Sequence, residues 1–168
     1  MKDIEFLKKN AYSLAYTYEQ KYGGCSQCVL AALRDTIGNI SDSAFKSSTG
    51  LAAGLAGGGY ACGALTGGIM AISSFLGREI DNLPDPDGIR FKTFALARRL
   101  VSRFEEEYGK RGGDCAVIQT RIMGRSFDIM NGERDALLAA GGHDDKCPSV
   151  CGNSAVWVIE ILHEERLL

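Results

Sequence analysis

The chain has 168 residues, long enough for one domain with a buried core, and its 21 acidic and 19 basic side chains leave a formal charge of −2. That balance excludes a basic nucleic-acid footprint or a polybasic membrane patch. Six cysteines, in a chain whose start MKDIEFLKKN carries no apolar leader, point to a cytoplasmic protein whose thiols bind metal or do redox work rather than staple the fold.

Residues 3–21 place Ile4, Leu7, Ala11, Leu14, Ala15 and Tyr18 on one face, the spacing of a packing helix that ends at Gly23 and Gly24. Cys25 then opens a second helix with the stripe Val29, Leu30, Leu33 and Ile37. On a helical projection Cys25 lies at the edge of that stripe and Cys28 further off it, so Cys28 is either exposed or joins Cys25 in facing a site. The pair has the C-x-x-C form, but no histidine follows Cys28, so covalent haem attachment is not expected. Ser41 and Asp42 are caps for a third helix that carries Ala44, Phe45, Ser48, Leu51 and Ala52 into the central stretch.

That stretch, residues 51–77, contains no charge and eight glycines. Its length raises the question of a membrane span, and the triplet Gly57 to Gly59 answers it by predicting a turn and a buried hairpin instead. A new helix is expected from about Cys62, with Leu65, Ile69, Ile72 and Leu76 as its apolar stripe. Ala64, Gly67, Gly68 and Ala71 form a second, small-residue face. Interior helical glycines cost roughly 1 kcal/mol each against alanine, so another backbone or a ligand is expected to come close.

Pro84 and Pro86 mark a polar connection in which Asp87 is a candidate cap. From Gly88 to Tyr108 runs the longest amphipathic pattern, with Phe94, Ala97, Val101, Phe104 and Tyr108 as its expected core face and Gly109 as its stop. Asp114 is placed to cap a short helix opened by Cys115, and small helical pieces broken by Gly132 and Gly141 follow. Cys147-Pro148 announces the last helix, proline being favoured at the first position, with Cys151, Ala155, Val158 and Leu162 on one face. The expected architecture is a compact all-α bundle of six to eight helices around a glycine-rich helical hairpin, one domain over residues 1–168.

Cys25, Cys62, Cys115 and Cys147 share one setting, since each follows a glycine-containing turn and opens a predicted helix. Unpaired amides and the positive end of a helix dipole favour a thiolate there. Four such helix starts are expected to converge on one sulfur site, with Cys28 and Cys151 one turn inside as auxiliaries. These residues resemble the redox-active C-GCAxxG-C-C family, small helical bacterial and archaeal proteins named for their cysteine pattern. Cys62-Gly63-Ala64-Leu65-Thr66-Gly67 is similar to its C-G-A-x-x-G core. Cys25 resembles its first cysteine, and Cys115 and Cys147 its last two. Ala61 stands where the family's name would place a glycine, and Cys28 and Cys151 are additional. The family in turn resembles the cluster-bearing part of split-Soret cytochromes, which implies an iron–sulfur centre without those cytochromes' haem motifs.

Three functions compete on these residues. Four thiolates suit a [2Fe-2S] cluster for electron transfer to a redox partner the sequence does not identify. Without metal, the pairs Cys25 with Cys28 and Cys147 with Cys151 suit thiol–disulfide exchange. Four thiolates also suit a structural zinc, for which His143 and His163 are alternative ligands, although each reads more simply as a surface histidine. No hydrolase or kinase signature is present, and the glycine-rich faces would permit a homodimer.

Overall fold

The computed structural model describes residues 3–168. Among them are eight right-handed α-helices: α1 (Ile4–Tyr22), α2 (Cys25–Ile37), α3 (Asp42–Ser47), α4 (Gly63–Phe75), α5 (Ile89–Tyr108), α6 (Cys115–Met123), α7 (Arg134–Ala139) and α8 (Cys147–Glu164). No strand occurs among the described residues, and the only sheet-like element is one antiparallel bridge between Ala61 and Asp114. None of these helices is long and apolar enough to cross a membrane.

The caps follow the local chemistry. Asp3 accepts the Glu5 amide at the start of α1, and the Ser41 hydroxyl accepts the Ala44 amide at the start of α3. At α5 the cap is Asp85 rather than the expected Asp87. The Asp85 carboxylate accepts the amides of Ile89 at 2.7 Å and Arg90 at 3.1 Å.

α8 is the spine of the bundle. α1 lies along it, α2 and α4 pack on each other and on it, and α5 closes the far side of α4. Val29, Leu30 and Leu33 of α2 meet Ile72 of α4, Leu100 and Phe104 of α5, and Val158, Ile159 and Leu162 of α8 in a single core. Burying each such side chain is worth roughly 1.5–3 kcal/mol, which is what holds helices of modest individual propensity in place.

Small residues set how close the helices come. A Cβ on Gly67 would stand 2.5 Å from the Ser26 carbonyl oxygen, so α4 lies directly on the backbone of α2. One on Gly152 would stand 2.6 Å from the Tyr12 ring, where α8 meets α1. The small-residue face of α4 is thus a packing face, as its composition predicts.

The core face of α5 is rotated from the expected stripe. Thr93, Leu96, Leu100, Phe104 and Tyr108 are buried, whereas Phe94 is 58% exposed and packs edge to face on Phe91 at 5.9 Å. On that face Leu96, Leu100 and Phe104 enter the common core, with Leu100 against Gly68 of α4, and the Thr93 hydroxyl faces the Leu76 carbonyl at the end of α4. Counting from Phe104 outward, either stripe satisfies a 3.6-residue period, and tertiary packing distinguishes them.

Candidate functional site

The four motif cysteines all stand at helix starts. Cys25 is the first residue of α2, Cys62 is the residue before α4, Cys115 is the first of α6 and Cys147 the first of α8. They line one cavity of about 190 Å³, together with Cys151 one turn into α8. Cys28 does not join them. It is buried, its thiol donates to the Gly23 carbonyl at 3.0 Å, and it faces a separate groove beside Tyr18, Tyr22 and Phe45. Of the two histidines, His143 lines the cysteine cavity and His163 is exposed near the end of α8.

The convergence is built by backbone. The bridge between Ala61 and Asp114 pairs the chain before α4 with the chain before α6: Cys62 N–H donates to Gly113 O at 2.7 Å, and Cys115 N–H donates to Tyr60 O at 2.6 Å. Two cysteines far apart in sequence are thereby held side by side. Asp114 precedes α6 but caps nothing with its side chain, since its carboxylate pairs with Arg111 at 2.6 Å.

The other arm of the expected hairpin is not a right-handed helix. After a 3-10 turn at Thr49–Leu51, residues 53–56 wind left-handed, with φ of 54° at Ala53, 74° at Gly54, 62° at Leu55 and 55° at Ala56. Three of these are not glycine, and each costs roughly 1–2 kcal/mol in that region. The turn aims the Ala53 amide at the Cys25 sulfur and places Gly54 against Cys115, where a Cβ would stand 2.7 Å from that of the cysteine.

The motif glycine after Cys62 has an equally direct reason. A Cβ on Gly63 would overlap the Cys25 sulfur, so only glycine lets the two helix starts meet. Ala64 lines the cavity wall beside it, and Gly67 carries the packing on Ser26.

The expected anionic thiols are not what burial produces in the polypeptide by itself. Burial pushes Cys62 and Cys115 up to about 12 and Cys25, Cys147 and Cys151 in the same direction. At Cys25 the amides of Ala53 and Ser26 pull downward, as those of Leu65 and Ala64 do at Cys62, but desolvation is the larger effect. Helix-start donors alone therefore leave these thiols protonated at neutral pH.

Two polar residues of the cavity wall carry no sequence motif. Glu19, on α1, is 3% exposed, and its Oε2 has no hydrogen-bond partner among the described residues. Burial pushes its carboxyl up to about 7, against a smaller opposing pull from the neighbouring Cys28 thiol. His143 Nε2 lies 3.8 Å from Glu19 Oε1, too far for a hydrogen bond, and burial lowers the histidine while it raises the carboxyl, so burial works against an ion pair here. Gln119, on α6, is buried beside Cys115. The signal that could have flagged Glu19 is its position: it sits one turn after Ala15 on the buried face of α1, where a charged residue is out of place.

Among the described residues, no three histidine, cysteine or acidic side chains close on a point that would hold a single metal ion. The donors surround a volume instead. The donor set is five thiols, with glycine at the two contacts where a Cβ would intrude on Cys25 and Cys115. Soft thiolates at helix starts, spread around a cavity, fit a multi-atom metal–sulfur group better than one ion.

A family model described as "Putative redox-active protein (C_GCAxxG_C_C)" matches residues 24–161. No curated protein and no solved structure gives a significant match to the chain.

Proposed function

The chain belongs to this redox-active C_GCAxxG_C_C family, and from that premise we propose that it carries electrons through an iron–sulfur centre held by Cys25, Cys62, Cys115 and Cys147. The observation that carries the reading is the arrival of four helix starts, each bearing a motif cysteine, at one cavity. A bound [2Fe-2S] group supplies a reversible one-electron couple, and four thiolates are its ordinary complement.

The volume supports this reading over a single zinc. About 190 Å³ is several times the roughly 30 Å³ share of one water, which accommodates a four-atom core and is loose for one ion. Thiol energetics support it over free thiol–disulfide exchange. Thiols raised by burial are poor nucleophiles near neutral pH, and they become thiolates only where a cation offsets the charge.

The residues around the site have defined tasks. The amides of Ala53 and Ser26 at Cys25 and of Leu65 and Ala64 at Cys62 pull the thiols down against the larger effect of burial, and they would offset thiolate charge there. Cys151, fully buried with its thiol 3.9 Å from the Cys25 carbonyl, lines the floor as a fifth sulfur outside the four-cysteine pattern.

The test is an ultraviolet–visible spectrum of anaerobically purified protein, with iron, zinc and acid-labile sulfide measured on the same sample. Visible charge-transfer bands with iron and sulfide in equal amounts are expected, and serine at any of the four cysteines should abolish them. A spectrum unchanged in all four variants overturns the reading, as does colourless protein holding one tightly bound zinc.

A further inference from the structure

Gln119 stands one helical turn after Cys115 on α6, and it is 6% exposed. Its Nε2 donates to the Cys115 sulfur at 3.5 Å, an ordinary span to an atom of that size, and its Oε1 accepts the Phe127 amide at 2.9 Å. The second bond fixes the first. A backbone N–H only donates, so the amide oxygen must face Phe127 and the NH2 group must face the sulfur.

Among the described residues, Gln119 is the one side chain that donates to a sulfur of the four motif cysteines. Cys25 and Cys62 take their donors from backbone amides, which no substitution of a side chain removes. At Cys115 the donor is the Gln119 side chain.

We propose that Gln119 is a positioning residue that raises the reduction potential of the cysteine site through its N–H···S bond to Cys115. The inference rests on the iron–sulfur reading. One-electron reduction adds negative charge that spreads onto the ligand sulfurs, so a fixed N–H donor stabilises the reduced state more than the oxidised one. Both partners are buried, where the bond is less screened than in water. Removing the donor therefore shifts the potential to more negative values.

The experiment is a redox titration at pH 8 of the cluster-loaded wild type, Gln119→Met and Gln119→Glu, with iron and sulfide measured on each sample. Gln119→Met removes both hydrogen bonds. Gln119→Glu keeps an oxygen for the Phe127 amide and removes only the donor to sulfur, so it decides the question if the methionine variant fails to fold. Both are expected to keep iron and to shift to lower potential, the glutamate variant further because of its added charge. Iron-loaded variants whose potential equals or exceeds that of the wild type overturn this inference and leave the iron–sulfur reading standing. A wild-type protein without iron and sulfide overturns both.

Discussion

Replacing Glu19 by glutamine should change how stability depends on pH more than it changes the fold. The carboxyl is 3% exposed, and burial lifts it from the ordinary 4.5 to about 7. An acid whose folded value is raised binds more protons folded than unfolded, so its burial costs nothing below about pH 4.5. The cost grows as pH rises from there and is complete above about pH 7. At about 1.4 kcal/mol per pH unit, that interval amounts to about 3 kcal/mol lost by the wild type and not by Glu19→Gln. The glutamine carries its own constant cost, about 1–3 kcal/mol, if its NH2 group finds no acceptor where Oε2 now has no partner. That offset is independent of pH, so the slope is the diagnostic. The assay is urea unfolding in reductant at half-unit steps from pH 4.5 to 8, with both proteins in the same metal state. The difference between the curves should widen by about 3 kcal/mol between the ends of that range. His143, lowered by burial, loses stability in the opposite direction, as pH falls below about 6.5, but it does so in both proteins. Parallel curves would refute the buried-carboxylate argument.

Gly63→Ala should cost about 1–3 kcal/mol and the metal–sulfur absorption, because its Cβ overlaps the Cys25 sulfur, whereas Gly50→Ala, with open space around it, should be silent in both. Denaturant midpoints and iron content check this pair. Ala56→Gly should stabilise by about 0.5–1 kcal/mol by relieving a left-handed residue, while Gly54→Ala, which adds a clash with Cys115, should destabilise by more than that. Cys28→Ser should leave the visible spectrum intact, since Cys28 faces the groove of Tyr18 and Tyr22 rather than the cavity. Loss of colour in that variant would place it among the ligands.

The helices were legible where periodicity and caps agree. α1 and α2 begin and end, and α8 begins, within a residue or two of where the glycines, Pro148 and the apolar spacing put them. The positions of the four motif cysteines at helix starts were legible for the same reason. Three features were not. The left-handed turn at residues 53–56 uses alanine and leucine where local preference asks for glycine, and only contact with Cys25 and Cys115 selects it. The rotation of α5 is set by tertiary packing of Leu96 and Leu100 against the rest of the core, which either apolar stripe would satisfy locally. Glu19 and His143 meet across more than a hundred residues of chain, and no local pattern encodes that meeting.

Several departures from local preference gather at the cavity, although Asn39, Asp85 and Arg166 are left-handed elsewhere. The core below the cavity is built mostly of apolar side chains on helical stripes and small residues where helices touch, and its buried Ser26, Thr36 and Ser154 hydroxyls donate to backbone carbonyls. At the cavity the chain keeps a strained turn, a carboxyl without a full set of partners and five thiols raised by burial. Each of these costs stability in the polypeptide alone; under the iron–sulfur reading proposed above, a cationic group among the sulfurs would turn the thiols into thiolates and offset part of that cost. A fold selected only for packing would have replaced Ala56 by glycine and Glu19 by an apolar residue. Glu19 and Ala53 of the left-handed turn both line the wall that holds the four motif cysteines, as the iron–sulfur site proposed above would require.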